Sequence, residues 1–233
     1  MVFIPLSDDN PLRSIRFQWV TVGIILANGL AFLWQNTTVA NAPASFAVIP
    51  AELMRVHLFG AVHGPFVAIP LPEGCTLFTY MFLHGDVFHL LSNMLFLWVF
   101  GDNVEDAMGH LRFIAFYLAC GAAGALAHAF AHPTSTQPLI GASGAVAGVI
   151  AAYLLLHPRA RVWVLAFRII PLRIAAVWVL GAWAATQFVM LLLGPREVAW
   201  WAHIGGMAAG AVLILFLRRP GVRLFDRARL ALD

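Results

Sequence analysis

Residues 139–156 read LIGASGAVAGVIAAYLLL, a run of apolar and small side chains that holds one hydroxyl near its start, Ser143. A helix that crosses a membrane needs roughly 20 mostly apolar residues, and somewhat fewer where the bilayer is locally thin. Five further stretches have the same character, namely 19–34, 87–104, 111–131, 174–193 and 198–217. The sequence therefore predicts an all-α protein, a bundle of six membrane-spanning helices.

The composition of the whole chain agrees with this prediction. Of its 233 residues, 61% are apolar or aromatic and only 11% are charged, and the mean hydropathy is +0.84. A soluble domain carries about 25% charged residues because its surface faces water. These values exclude an ordinary soluble domain, a disordered chain and a nucleic-acid-binding protein. The chain is expected to be an integral membrane protein in a lipid bilayer.

The arginines orient the predicted bundle. With the N-terminus in the cytoplasm, the outer segments carry only Arg55 and Arg196, and the other 12 of the 14 basic residues fall inside. Cytoplasmic loops of membrane proteins carry an excess of basic residues, so both termini are expected in the cytoplasm. The chain divides into a cytoplasmic segment at 1–18, a membrane domain at 19–217 with a long outer loop at 35–86, and a basic cytoplasmic tail at 218–233.

Polar side chains inside the predicted spans are functional candidates because they are costly in lipid. They are His89, Asn93, Glu105, His128, Ser143 and His203. Helix direction places His89, Asn93 and Ser143 near the outer ends of their spans. His203 lies little more than one turn below the outer surface, at ~1.5 Å per residue. Three helices distant in sequence thus bring polar groups to one depth, which favours a site near the outer face.

Ser143 lies in the sequence Gly141-Ala142-Ser143-Gly144. A serine at a helix start between glycines can expose its hydroxyl beside free backbone N–H groups, and these donors suit a developing oxyanion. The same segment has a second interpretation, because Gly144 and Gly148 form a GxxxG motif of the kind that packs membrane helices together. Both interpretations stay open for this motif alone.

Three other polar residues suit hydrolysis of an acyl bond. His203 is followed by Gly206 and Gly210, which let a neighbouring backbone approach closely, and its neutral imidazole can take a proton from a hydroxyl. His89 and Asn93 are four residues apart on one helix face, where both can donate to an oxyanion. Each of the three polar residues has an alternative role as an interhelical hydrogen-bonding group that serves stability.

Other catalytic chemistries lack the residues they need. The chain has no HExxH motif, no GxGD motif and no lysine, which excludes a zinc metalloprotease, a membrane aspartyl protease and a Ser–Lys dyad. His128 and His132 share a face of the third span, but two ligands with no nearby acidic residue or cysteine rarely make a metal site. Neither a metal nor another cofactor is expected.

Taken together, these motifs resemble the rhomboid family of intramembrane serine proteases over about residues 75–217. The resemblance rests on FTYMFLH at 78–84, His89-x-x-x-Asn93, Gly101-x-x-x-Glu105-x-x-x-Gly109, GASG at 141–144, and Ala202-His203-x-x-Gly206 with Gly210 beyond. It implies that Ser143 is the nucleophile and His203 its general base, a dyad without a third carboxylate. It also implies an oxyanion hole made by Asn93, His89 and the Ser143 backbone N–H.

The resemblance further implies structural roles, which fall on Gly101, Glu105, Gly109, Gly206 and Gly210. Glu105, with its two flanking glycines, would anchor the cytoplasmic end of the second span. The chain departs from the family at Ala147, since many members carry there an aromatic residue that stacks on the histidine. Trp200 and Trp201 are candidate substitutes for that aromatic residue.

The leading hypothesis is a protease that cleaves transmembrane protein substrates near the outer face, in contact with lipid and not with nucleic acid. By resemblance, the cleavage site would have small residues in a helix that unwinds easily. One alternative is a rhomboid-fold chaperone or adaptor without catalysis. The absence of Ser143 or His203 would have indicated this alternative, and both residues are present. A second is a small transporter with a proton path through histidines, for which the expected internal repeats are not seen. The compact six-span form without a targeting extension favours a bacterial inner membrane.

Overall fold

The computed structural model describes residues 3–37, 43–55, 71–167, 169–194 and 198–226. Within these ranges the chain forms mainly helices, together with one small antiparallel sheet. In chain order the elements are β1 (Phe3–Asp8), α1 (Trp19–Thr37), α2 (Pro50–Arg55), α3 (Glu73–Thr79), α4 (Val87–Met108), α5 (His110–Ala131), α6 (Ser143–Leu156), β2 (Arg161–Ala166), β3 (Ile170–Ala175), α7 (Ala176–Leu193) and α8 (Trp200–Leu217).

Five helices of the described chain are long and apolar enough to cross a membrane: α1, α4, α5, α7 and α8. They confirm the predicted membrane bundle, with ends that differ from the predicted bounds by a few residues. The stretch 139–156 differs more, because α6 has only 14 residues. Its length of ~21 Å is below the ~30 Å hydrocarbon thickness of a bilayer.

The chain before α6 is extended rather than helical, since its backbone groups pair with other segments. Leu139 exchanges both of its backbone hydrogen bonds with Val48, at 2.7 and 3.2 Å, and the Gly141 N–H donates to the Tyr80 carbonyl at 3.0 Å. Gly141 also has φ of 118°, a conformation that suits glycine and few other residues. These constraints make Ser143 the first residue of the helix.

Helix α6 occupies the centre of the bundle, where ten of its 14 residues are buried. It packs against α8 through two pairs of glycines. A Cβ atom on Gly206 would overlap the carbonyl oxygen of Gly144, and one on Gly210 would overlap that of Gly148. The glycines therefore allow the two backbones to touch, so the packing interpretation of GxxxG applies to the same segment that carries Ser143.

The sheet was not predicted, and it corrects the all-α assignment. β2 pairs antiparallel with β1 on one side and β3 on the other. Along β2 the side chains alternate, with Arg161 and Trp163 exposed and Val162 and Val164 buried, as a half-buried strand requires. β3 takes the first two residues of the predicted span 174–193, so α7 begins at Ala176. The segment 1–18, predicted only as polar chain, supplies β1.

The sheet defines one end of the bundle, called here the sheet end. The described part of the tail folds back there, with backbone hydrogen bonds from Arg219 to Ala107 and from Asp226 to Leu156, both 2.8 Å. The opposite end, where α4, α6 and α8 begin, is called the loop end. Several parts of the predictions lie outside the described residues, namely 38–42, 56–70 and 227–233 of the loop and tail, and Arg168, Arg196, Arg227 and Arg229 of the orientation argument.

Candidate active site

Ser143 and His203 meet at the loop end, although 60 residues separate them in sequence. The Ser143 Oγ lies 2.8 Å from the His203 Nε2, within hydrogen-bonding distance. Ser143 begins α6 and His203 lies in the first turn of α8, and the contact of Gly206 with Gly144 holds those two helices together. Both residues are partly exposed, so a molecule can reach the hydroxyl from the loop end.

The start of α6 is held by the segment that precedes α4. The Ala142 N–H donates to the His84 Nε2 at 3.4 Å. The Tyr80 hydroxyl, which lies beside Gly144, donates to the Gly121 carbonyl of α5 at 2.7 Å. Burial, followed by the proximity of His89, lowers the pKa of His84 to about 4. The His84 ring is therefore neutral at pH 7, which leaves its Nε2 able to accept. The first N–H groups of α6 have no partner within the helix and surround the Ser143 backbone.

The two predicted oxyanion donors lie beside this helix start. The His89 imidazole packs against Gly141, where an added Cβ atom would come within 2.7 Å of the His89 Cε1. Asn93 is buried one turn further along α4, and its Nδ2 donates one hydrogen bond to the His89 carbonyl at 3.0 Å. One N–H of the Asn93 amide is thereby used within the helix, and the other stays available as a donor.

Glu105 lies at the sheet end, far from Ser143. It follows Asn93 by twelve residues along α4, which corresponds to ~18 Å. Its fully buried carboxylate accepts hydrogen bonds from the backbone N–H groups of Val20, at 3.1 Å, and Thr21, at 2.8 Å, and from the Thr21 hydroxyl at 2.7 Å. The first N–H groups of a helix lack internal partners and favour a negative charge. Glu105 thus ties α4 to the beginning of α1.

The glycines on either side of Glu105 have close neighbours in the same region. A Cβ atom on Gly101 would lie 3.2 Å from the Thr21 Cγ2, so α1 and α4 approach closely at this point. Gly109 has φ of 85° and ends α4, with the Arg219 guanidinium packed beside it. These positions are those expected of residues that serve packing at the sheet end.

Sequence comparison adds a finding that is independent of this geometry. The family profile described as Rhomboid domain matches residues 71–220, which include the beginnings of α4, α6 and α8. The chain belongs to the rhomboid family. Family membership confirms the resemblance seen in the sequence motifs, and a rhomboid domain accounts for the mainly helical membrane bundle.

Three curated relatives show how far the similarity of this rhomboid extends. RHOMBOID-like protein 12, mitochondrial, of Arabidopsis thaliana is 28% identical over 164 residues, 64% of this chain and 48% of the relative. Presenilin-associated rhomboid-like protein A, mitochondrial, of Danio rerio is 31% identical over 158 residues, 64% of this chain and 40% of the relative. Rhomboid protein 1, mitochondrial, of Saccharomyces cerevisiae is 31% identical over 135 residues, 56% and 38% of the two chains. The rhomboid chain spans about half the length of such relatives or less.

Two residues of the rhomboid site were missed by the sequence analysis. The Gln187 Oε1 lies 2.8 Å from the His203 Nδ1, and the Trp183 ring centroid lies 6.2 Å from that of His203. Of the two tryptophans considered as substitutes for an aromatic residue at Ala147, Trp200 contacts the His203 ring edge-on with centroids 5.9 Å apart, whereas Trp201 is 38% exposed. A signal for Gln187 was present, since it is a polar residue in a predicted span.

His128 lies in the last turn of α5, and His132 directly follows that helix. The rings of His128 and His132 lie with centroids 5.0 Å apart. Among the residues for which the structure gives positions, no group of three or more His, Cys, Asp or Glu side chains is arranged to hold a metal ion.

Proposed function

We propose that this rhomboid is an intramembrane serine endopeptidase that hydrolyses peptide bonds in or near transmembrane segments of other membrane proteins. The observation that carries the proposal is the 2.8 Å contact between the Ser143 Oγ and the His203 Nε2. A nucleophile and a base within this distance at a partly exposed position are the minimum machinery for acyl transfer. In the proposed reaction His203 accepts the hydroxyl proton as Ser143 attacks the carbonyl carbon, and later donates it to the leaving amine.

The negative charge that develops on the substrate oxygen needs donors, which we assign to the start of α6 and to α4. The free N–H groups around Ser143 point along the helix axis, so the helix dipole adds to their effect. His89 lies against Gly141, and Gly141 precedes Ser143 by two residues. Asn93 donates one amide N–H to the His89 carbonyl, which leaves its second amide N–H for the substrate oxygen. Each preorganised donor of this kind contributes about 10²-fold or more to kcat.

The proposed membrane arrangement has six spans, which are the five long helices α1, α4, α5, α7 and α8 together with the shorter α6. Helix α6 is shorter than a bilayer, and the non-helical chain that precedes it at 132–142 would complete the crossing. Non-helical backbone is tolerated at membrane depth where protein or a water-filled cavity surrounds it, and Gly141 is buried among other segments. A short central helix with its start below the outer surface would give water access to Ser143.

The proposed orientation and domain division follow the arginine distribution. Segment 1–18 and tail 218–233 lie in the cytoplasm, the membrane domain at 19–217 spans the bilayer, and the loop end faces outward. A bacterial inner membrane is proposed on the compact six-span form alone. The three relatives named above have mitochondrial names and lend it no support. Protease accessibility of tags at both termini of the membrane-inserted protein tests the orientation.

Reaction with a fluorophosphonate tests the nucleophile directly. We expect the purified protein in detergent to be labelled at Ser143, as located by mass spectrometry, and Ser143→Ala and His203→Ala to lose labelling while they stay folded. Ser92→Ala is a matched control, since this serine lies on α4 near the loop end and its hydroxyl donates to the His89 carbonyl at 2.9 Å. A folded wild-type protein that resists the probe would contradict the proposal and favour a catalytically inactive rhomboid that acts as a membrane chaperone or adaptor.

A further inference from the structure

We propose that Gln187 is a positioning residue that holds His203 in the tautomer needed to accept the Ser143 proton. The inference rests on the proposed protease function and deepens it, since it adds a third member to a pair that the sequence motifs present as a dyad. It comes from a chain of hydrogen bonds that runs from the backbone of α7 through Gln187 and His203 to Ser143.

The orientation of the Gln187 amide follows from its surroundings. A backbone carbonyl can only accept a hydrogen bond. The Gln187 Nε2 lies 2.9 Å from the Trp183 carbonyl oxygen, and the Thr186 hydroxyl donates to the same oxygen at 2.6 Å. The Thr186 hydroxyl proton is thereby used, so its oxygen accepts from the Gln187 Nε2 at 3.2 Å. Two acceptors thus face the amide nitrogen, and the amide oxygen must face His203.

The orientation of the amide then decides the tautomer of His203. The Gln187 Oε1 accepts at 2.8 Å, so the His203 Nδ1 must carry the proton. A neutral imidazole has one N–H, and its other nitrogen is an acceptor. The acceptor is therefore the Nε2, which lies 2.8 Å from the Ser143 Oγ, and the hydroxyl donates to it. The other tautomer would place a proton on the Nε2, and the base could not accept the proton of Ser143.

Packing around these groups limits the alternatives open to the His203 ring. Gln187 is only 4% exposed and is one of the few buried residues of α7. The tryptophan rings of Trp183 and Trp200 contact the imidazole at interplanar angles of 36° and 87°, so they restrict the ring plane. Gln187 adds what aromatic contacts do not supply, an acceptor that distinguishes the two ring nitrogens.

The same bond would act during catalysis. When His203 takes the proton of Ser143 it becomes an imidazolium, and a hydrogen bond from a charged donor is roughly twice as strong as one from a neutral donor. The bond to Gln187 is therefore stronger in the transition state than in the ground state, and its loss should lower kcat more than it changes KM. A residue that served only stability would leave kcat of the folded enzyme unchanged.

Three variants separate these roles. Gln187→Leu removes the acceptor at similar size, and we expect kcat to fall by about 10- to 100-fold with KM within about twofold. Gln187→Glu keeps an acceptor oxygen beside the Nδ1 but loses the donation to the Trp183 carbonyl, so it should recover part of the lost kcat. Phe188→Leu is the matched control, because Phe188 is the next residue of α7, is 53% exposed and lies outside this chain of hydrogen bonds, and the kcat of this variant should stay near wild type.

Nitrogen NMR provides a readout that does not depend on turnover. In protein labelled with ¹⁵N-histidine, with the His203 signals identified by their loss in His203→Ala, the wild type should show the proton on Nδ1. Wild-type protein with the proton on Nε2, or Gln187→Leu with wild-type kcat, would overturn the inference even if Ser143 is the nucleophile. Failure of the proposed function looks different, since folded wild-type protein would then resist the fluorophosphonate or Ser143→Ala would cleave as wild type does, whatever the tautomer of His203.

Discussion

Removal of the Glu105 carboxylate should destabilise the fold and leave the chemistry intact. In Glu105→Ala the backbone N–H groups of Val20 and Thr21 and the Thr21 hydroxyl lose a buried acceptor. The His110 imidazole, whose Nδ1 lies 2.5 Å from the Glu105 Oε1, loses its partner as well. A single hydrogen bond to a charged group contributes about 1.5–3 kcal/mol, and contributions within one cluster are not additive. Each buried donor that is left without an acceptor costs about 1–3 kcal/mol. We therefore expect a loss of about 3–5 kcal/mol and a fall in Tm of about 6–20 °C.

The assay compares thermal unfolding in detergent with the rate of fluorophosphonate labelling well below Tm. Thr21→Val is the matched control, because it removes the 2.7 Å hydroxyl bond to the carboxylate and keeps both backbone donors, and it should cost about 1.5–3 kcal/mol, less than Glu105→Ala. Folded Glu105→Ala should be labelled at nearly the wild-type rate, since ~18 Å of helix separates it from Asn93. A variant with wild-type stability and no labelling would refute the structural role of Glu105.

Three further substitutions test other parts of the account. Asn93→Ala should lower kcat by about 10²-fold with KM little changed, and a folded variant with near-native kcat would remove Asn93 from the site. Gly206→Ala should separate α8 from α6, with a loss of about 1–3 kcal/mol and of most activity, whereas Gly181→Ala, with no atom within 4 Å of an added Cβ, should match wild type in melting and turnover. Burial raises the pKa of Asp8 to about 6, so the folded protein binds this proton more tightly than the unfolded chain and loses stability as pH rises from about 4 to 6. Asp8→Asn should therefore have a larger free energy of unfolding than wild type at pH 7.5, by about 1–3 kcal/mol, and the difference should be smaller at pH 5. A difference that does not change with pH would contradict this.

The membrane bundle was predictable because hydropathy and length are local properties of the sequence. The sheet was not predictable on the same grounds. β1 and β2 are more than 150 residues apart, and nothing in either segment indicates its partner. The apolar residues of β3 also merge with those of α7, so the pattern around 174–176 reads as one continuous span. The apolar run 139–156 also gives no sign that its first residues pair with Val48 and Tyr80 instead of continuing the helix.

The Ser143 and His203 pair was predictable because topology brings both residues to one depth and the motifs agree. The environment of the His203 ring was not, since it depends on the rotation of α7 about its axis. That helix is apolar on all sides, so hydropathy gives no information on which face meets α8. The rotation decides that Gln187 and Trp183 contact the imidazole. The assignment of a partner to the His203 Nδ1 therefore required the three-dimensional structure.

Cleavage in a bilayer tests the central claim most directly. Wild-type protein and Ser143→Ala are reconstituted separately in liposomes with a test substrate that has one transmembrane segment with small residues near its outer end, and the fragments are identified by mass spectrometry. The account predicts two fragments from wild type, with the cut in or near the membrane segment, and none from the variant. Wild-type turnover by Ser143→Ala would show that this hydroxyl is not the nucleophile and would contradict the account.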